Sequence, residues 1–175
     1  MHIENFLKLH SKLTDKDQIL RTQVLIHFFA YANAGYETFK KYMEFWVSEN
    51  EKVEHHMTAA VLSMYANGKV CLQISQKIND EIENDKLGIL RNKEKAWAVR
   101  FNGFRDDANH PVNDQNFFVV SRIGNTPPNF TIRMLDKNSL EEKKKYDINP
   151  EEDLKKLHSY LEQLASIYEE EWAIY

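Results

Sequence analysis

Apolar residues recur every three or four positions along most of this chain, and the beat is longest between residues 20 and 46. There Leu20, Val24, Phe28, Tyr31, Gly35, Phe39, Tyr42 and Trp46 form the stripe of a long amphipathic helix. Thr14-Asp15-Lys16-Asp17 opens it as a capping box, with Thr14 at the N-cap and Asp17 reaching back. A second flank (Leu25, Phe29, Ala32, Tyr36, Met43) is also apolar, which predicts a helix at the centre of a bundle or at a subunit interface.

Val53, Met57, Ala60, Met64, Cys71, Ile74, Ile78 and Ile82 carry the same period. The pattern skips at Asn67-Gly68, a turn dipeptide that leaves open a break or kink. A shorter stretch follows with Leu90, Lys93, Trp97, Phe101 and Phe104. The texture then shifts to β-type: Asn116 to Ile123 is rich in Phe and Val, and Phe130 to Leu135 alternates apolar and polar residues. Gly124-Asn125-Thr126-Pro127-Pro128-Asn129 between them is turn chemistry, so a hairpin is expected. Glu141 to Lys145 reads as a charged linker. Asn149-Pro150-Glu151-Glu152 then caps a final helix lined by Leu154, Leu157, Leu161, Leu164, Tyr168 and Trp172.

These elements predict one mainly α domain over residues 1–175: an up-and-down bundle of about four to five helices with a small β-hairpin insertion near 116–135 and a C-terminal helix near 150–173. The length of 175 residues suits one domain with a sizeable core. One cysteine, Cys71, excludes an internal disulfide and suits a reducing compartment; at its place on the apolar stripe it reads as a core residue. The first residues lack a signal-peptide layout and no apolar run approaches a membrane span, so a cytoplasmic protein without a membrane partner is expected.

The net charge of −4 argues against an extended nucleic-acid coat, although a small catalytic cleft is compatible with it. Arg91, Lys93, Lys95 and Arg100 cluster locally, either as a solvated helix face or as RNA-contacting groups. Glu54-His55-His56 suggests a metal, but adjacent helical histidines point about 100° apart. No Glu-x-x-His pair, phosphate loop, zinc-type cysteine pair or nucleophile elbow is present, so neither metal nor cofactor is expected. The aromatic stripe Phe28-Tyr31-Phe39-Tyr42-Trp46 reads as core, with His27 beside it as a buried or interface histidine.

Phe104-Arg105-Asp106-Asp107-Ala108-Asn109-His110-Pro111 carries the most specific chemistry. Arg105, a polar residue directly after it, and His110 follow two long helices and end a third. Pro111 pushes His110 out of helical geometry, so the histidine is free to project into a cleft. Residues five apart on an unbroken helix point about 140° from each other, whereas a chain that breaks near Asn109 lets Arg105 and His110 converge. A second Arg-to-His spacing, Arg21 to His27, lies inside the first long helix, where no chemistry is assigned.

The Arg105–His110 stretch resembles the HEPN superfamily motif, an arginine and a histidine separated by four to six residues with a polar residue after the arginine. It is similar to the "R-N-x-x-x-H" form, with Asp106 in place of Asn. In layout the resemblance covers about residues 15–111. That family implies a helical bundle and a metal-independent endoribonuclease assembled across a homodimer, with a toxin–antitoxin or phage-defence role. Carried over, His110 is the general acid/base, Arg105 the phosphate clamp, and Asp106 and Asn109 supporting groups. An antitoxin or other regulatory partner is then implied as well. One feature departs from the family: a hairpin, rather than a further helix, is expected after the motif. The plainer reading makes Arg105 a surface ion-pair partner of Asp106 or Asp107, and the chain a non-catalytic protein- or nucleic-acid-interaction module. A third reading is a metal- or small-molecule-binding bundle using His27, His55 or His56.

Overall fold

The computed structural model describes residues 1–46, 51–82, 96–109, 116–123 and 129–172. In chain order these form α1 (Glu4–Lys12), α2 (Lys16–Trp46), α3 (Glu51–Glu81), α4 (Ala96–Asn109), β1 (Asn116–Ile123), β2 (Asn129–Asp136), β3 (Glu142–Ile148) and α5 (Pro150–Glu171). The chain is thus mainly helical with a small antiparallel sheet, as its periodicities predict.

The two long helices run antiparallel. Arg21 pairs with Glu81 at one end, and Tyr42 stacks on His56 at the other, with ring centroids 5.0 Å apart. They pack tightly at Gly35, where a Cβ would lie 2.8 Å from both the Ala60 carbonyl oxygen and the Met64 nitrogen. Only glycine lets the backbones meet there. Leu25, Phe29 and Ala32 of the second flank are buried together with Gly35 and Phe39 of the expected stripe, whereas Leu20 and Tyr31 of that stripe are 60% and 57% exposed. With two adjacent apolar flanks, periodicity alone does not choose between them; packing against α3 and α5 does. His27, expected in the core or an interface, is exposed on α2.

The cap of α2 also differs by one residue. Asp15 Oδ1 accepts from the Asp17 and Gln18 N–H groups, each at 3.0 Å, so Asp15 rather than Thr14 satisfies the free donors. Further along, α3 passes through Asn67-Gly68 without interruption. Gly68 serves a packing purpose instead of a turn. A Cβ there would sit 2.2 Å from the Phe101 ring, so the missing side chain is the notch that seats α4.

The hairpin is present as β1–β2, paired from Asn116↔Asp136 to Ile123↔Asn129. The charged stretch expected as a linker is instead β3, which adds to β2 and completes a sheet of order β1-β2-β3. Glu142 to Lys145 are exposed on it, and such charges keep an edge strand from pairing with other chains. A run of lysines is therefore compatible with a strand when one face is never asked to bury. The opposite edge is covered by α3, whose Thr58 Oγ1 accepts from the Val120 N–H at 3.0 Å. Phe130, Ile132 and Val120 face the helices, and Phe39 meets Phe130 edge-on with centroids 5.2 Å apart.

Helix α5 begins as expected: the Asn149 side chain accepts from the Glu152 N–H at 3.2 Å and donates to its carboxylate at 2.9 Å. Its Leu154, Leu157, Leu161, Leu164 and Tyr168 are fully buried. Helix α1, absent from the sequence expectation, lies along α5. Phe6 packs edge-on against Tyr168, and Glu162 accepts from the Asn5 N–H at 3.1 Å, capping α1 from a distant part of the chain. Its cap is tertiary, which is why no local signal marks its start.

Candidate functional site

Arg105, Asp106 and Asn109 belong to α4, so what fixes that helix decides where its last turns stand. Trp97, Ala98 and Phe101 are its buried face. Phe101 drops into the notch above Gly68, with Tyr65 and Trp97 rings at 5.0 and 6.1 Å. Trp97 also meets Tyr160 of α5 at 5.9 Å. At Gly103 the helix passes Tyr146 of β3, 3.9 Å from where a Cβ would be.

Two polar anchors reinforce this apolar seat. Asp153, fully buried in the first turns of α5, accepts from Tyr65 Oη at 2.6 Å and from Arg100 Nε at 2.7 Å. Arg100 Nη2 grips the second carboxylate oxygen, making the pair bidentate. The hydrogen bond to Asp153 raises the Arg100 pKa, so the guanidinium stays charged. Burial, followed by the Asp153 charge, pushes the Tyr65 phenol well above its ordinary value, which keeps it a donor. The second anchor is Lys69 of α3, whose Nζ donates to the Asn102 carbonyl at 3.2 Å.

These anchors all fall within residues 97–102, immediately before the motif. Arg105, Asp106 and Asn109 lie in the last turns of α4, which is described as far as Asn109. His110, and the basic residues Arg91, Lys93 and Lys95, lie outside the described residues. Arg100, expected among the RNA contacts, is committed to Asp153 with 24% of its side chain exposed. Arg105, Asp106 and Asn109 thus stand at the end of a helix held by α3 and α5.

Sequence reasoning did not single out Tyr65, Lys69 or Asp153. Tyr65 hides in the apolar stripe of α3, and Asp153 resembles any acid favoured near a helix N-terminus. Lys69 follows a glycine whose notch is visible only in three dimensions. Cys71 is buried as expected, with its Sγ 3.7 Å from the Leu25 carbonyl, and burial pushes its thiol pKa far up.

A separate feature lies between α2 and α3: an open groove of about 500 Å³ lined by Tyr31, Gly35, Thr38, Tyr42, His56, Ser63 and Asn67 among others. His55 and His56 are both exposed, and His56 is engaged by the Tyr42 ring. Among the described residues, no group of three or more His, Cys, Asp or Glu is arranged to hold a metal, and no helix is long and apolar enough to cross a membrane.

Compared with family models, curated proteins and solved structures, the chain matches none.

Proposed function

We propose that the protein is a metal-independent endoribonuclease of HEPN type, with Arg105 and His110 as its reacting groups. The observation that carries this reading is the placement of Arg105 and Asp106 in the last turns of α4, a helix anchored by Phe101, Arg100 and Lys69 just upstream. Function placed at the end of a rigid element is held more accurately than on a free loop.

The chemistry needs little more than these groups. RNA supplies its own nucleophile, the 2′-hydroxyl. His110 takes its proton as the oxygen attacks phosphorus, and the P–O5′ bond breaks with a proton delivered to the leaving oxygen. Histidine suits either proton role, because its ordinary pKa is near ~6.5. Arg105 grips the phosphate oxygens as negative charge builds on them. Asp106 and Asn109 orient these two. Each chain brings one motif histidine, so a two-fold homodimer presenting two motifs across its seam supplies both the acid and the base. An antitoxin or regulatory partner would restrain such an enzyme in a toxin–antitoxin or phage-defence setting in the cytoplasm.

The test is direct. Purified protein should cut RNA in excess EDTA and leave 2′,3′-cyclic phosphate and 5′-hydroxyl ends. Products ending in 3′-hydroxyl and 5′-phosphate would contradict 2′-hydroxyl attack.

One observation favours a second reading, a non-catalytic interaction module. Leu20 and Tyr31 stand exposed along α2, and the α2–α3 groove opens beside Tyr31. That reading predicts that Arg105 and His110 are dispensable for the protein's activity.

A further inference from the structure

Helix α2 carries no Asp, Glu, Lys or Arg from Thr22 to Tyr36, in a chain that is 29% charged. On α3 the stretch from His55 to Gln76 holds one such residue, Lys69, and it is buried. A charge-free helix surface is normally covered, and the centres of protein interfaces are depleted in charge in the same way. Yet one side of this helix pair faces outward. Leu20 and Tyr31 are 60% and 57% exposed, and Ala34, Thr38, His56, Ala59 and Ser63 are exposed as well.

That side is one continuous face. Leu20, Val24, Tyr31, Thr38 and Tyr42 recur at helical spacing along α2, and His56, Ser63, Asn67 and Ile74 do so along α3. The groove of about 500 Å³ runs between them, lined by the small residues Ala34, Gly35, Ala59 and Ala60. Tyr31 stands at one end, braced edge-on by Phe28 with ring centroids 6.0 Å apart, and the stacked Tyr42–His56 pair stands at the other. The face points away from α4, because Tyr65, which meets Phe101, is about 200° round the helix from Ser63.

Size and charge together choose the partner. At a rise of 1.5 Å per residue, Leu20 to Tyr42 spans about 33 Å, and two helices side by side are about 20 Å across, so the face covers on the order of 600 Å². Pairing with its own copy buries about 1,200 Å², where stable specific interfaces begin. The net charge of −4 makes two copies repel over most approaches, and here they meet without like-charge contact. A strongly charged partner would find no ion pair on this face. The protruding Tyr31 ring and a groove wide enough to receive it lie side by side, which is the self-complementarity that a two-fold pairing needs.

We infer that the outward α2–α3 face is an interface between two copies of this chain, with Tyr31 of each seated in the groove of the other. This seam is separate from one built at the end of α4, and nothing in it depends on the ribonuclease reading.

Sedimentation equilibrium of the full chain tests it without RNA. Wild type should be a dimer or larger at micromolar concentration. Ala59→Arg and Tyr31→Glu each put a charge on the face at an exposed position. Each should weaken self-association by about a hundredfold or more while keeping the wild-type helical dichroism, and either one suffices if it is folded. Leu140→Glu, at an exposed apolar residue outside the face, should associate as wild type does. An assembly larger than a dimer that falls to dimers in both charged variants supports the face and leaves a second seam in place. A monomeric wild type would overturn the inference, and so would association that both folded variants retain. RNA cleavage by the same wild-type protein decides the ribonuclease reading separately.

Discussion

Asp153 offers the sharpest test of how α4 is held. Replacing it with Asn preserves shape but removes the carboxylate charge that Arg100 grips through two nitrogens. One amide oxygen cannot serve Arg100 Nε, Arg100 Nη2 and Tyr65 Oη as two carboxylate oxygens do, so an N–H must point at an N–H or O–H donor. Removing one partner of a buried pair costs roughly 3–5 kcal/mol. Arg100 keeps 24% of its side chain in contact with solvent, which screens the orphaned charge and moves the expectation to about 2–3 kcal/mol. That is roughly a 30- to 150-fold change in the unfolding equilibrium. For a chain of this size it lowers Tm by about 4–12 °C. Urea unfolding followed by far-UV dichroism gives the number. Tyr65→Phe, which deletes one donor and leaves the charges paired, should cost less, about 1–2 kcal/mol. The exposed Glu151–Lys155 pair is the control and should change little when Lys155 is removed. If Asp153→Asn unfolds within about 0.5 kcal/mol of wild type, the network is not what secures α4.

Gly35→Ala should destabilise by about 1–2 kcal/mol, because backbone atoms of α3 at 2.8 Å cannot rotate aside and their separation outweighs the ~1 kcal/mol helix-propensity gain; a higher urea midpoint would contradict that packing. Burial raises the phenol pKa values of Tyr65, Tyr160 and Tyr168, so folding favours their protonated forms. Their contribution is complete below the unfolded value near ~10 and is lost as pH rises beyond it, so urea stability should hold up to about pH 10 and then fall. Free titration of all the phenols in the folded protein would contradict this. Cys71, with its thiol pKa pushed up by burial, should react with an aromatic disulfide reagent only as fast as the protein opens, and rapid labelling in native buffer would show that its site is not closed.

What the sequence made legible was the part written in local periodicity. Helices α2, α3 and α5 are long enough for a repeating stripe to stand out, and Asn149-Pro150 marks its own helix by a local cap. The β1–β2 hairpin is equally local, as two β-rich runs around a Gly/Pro turn. Misreadings arise where a distant element decides. Helix α1 takes its cap from Glu162, β3 becomes a strand because β2 offers it a ladder, and Gly68 is shaped by Phe101 rather than by a turn. The same holds at the candidate site. Arg105 and His110 are visible as a spacing, whereas Asp153, Tyr65 and Lys69 become important only once α3 and α5 converge on α4.

The central claim is that His110 and Arg105 cleave RNA without a metal. The measurement that tests it most directly is digestion of total cellular RNA in excess EDTA by wild type, His110→Ala and Arg105→Ala proteins, each verified as folded by its urea transition. The account predicts cleavage by wild type and its loss, by at least about a hundredfold, in both variants. Equal cleavage by all three would place the activity elsewhere. No cleavage by a folded wild type across total RNA would contradict the ribonuclease reading and leave the interaction module as the better account of this fold.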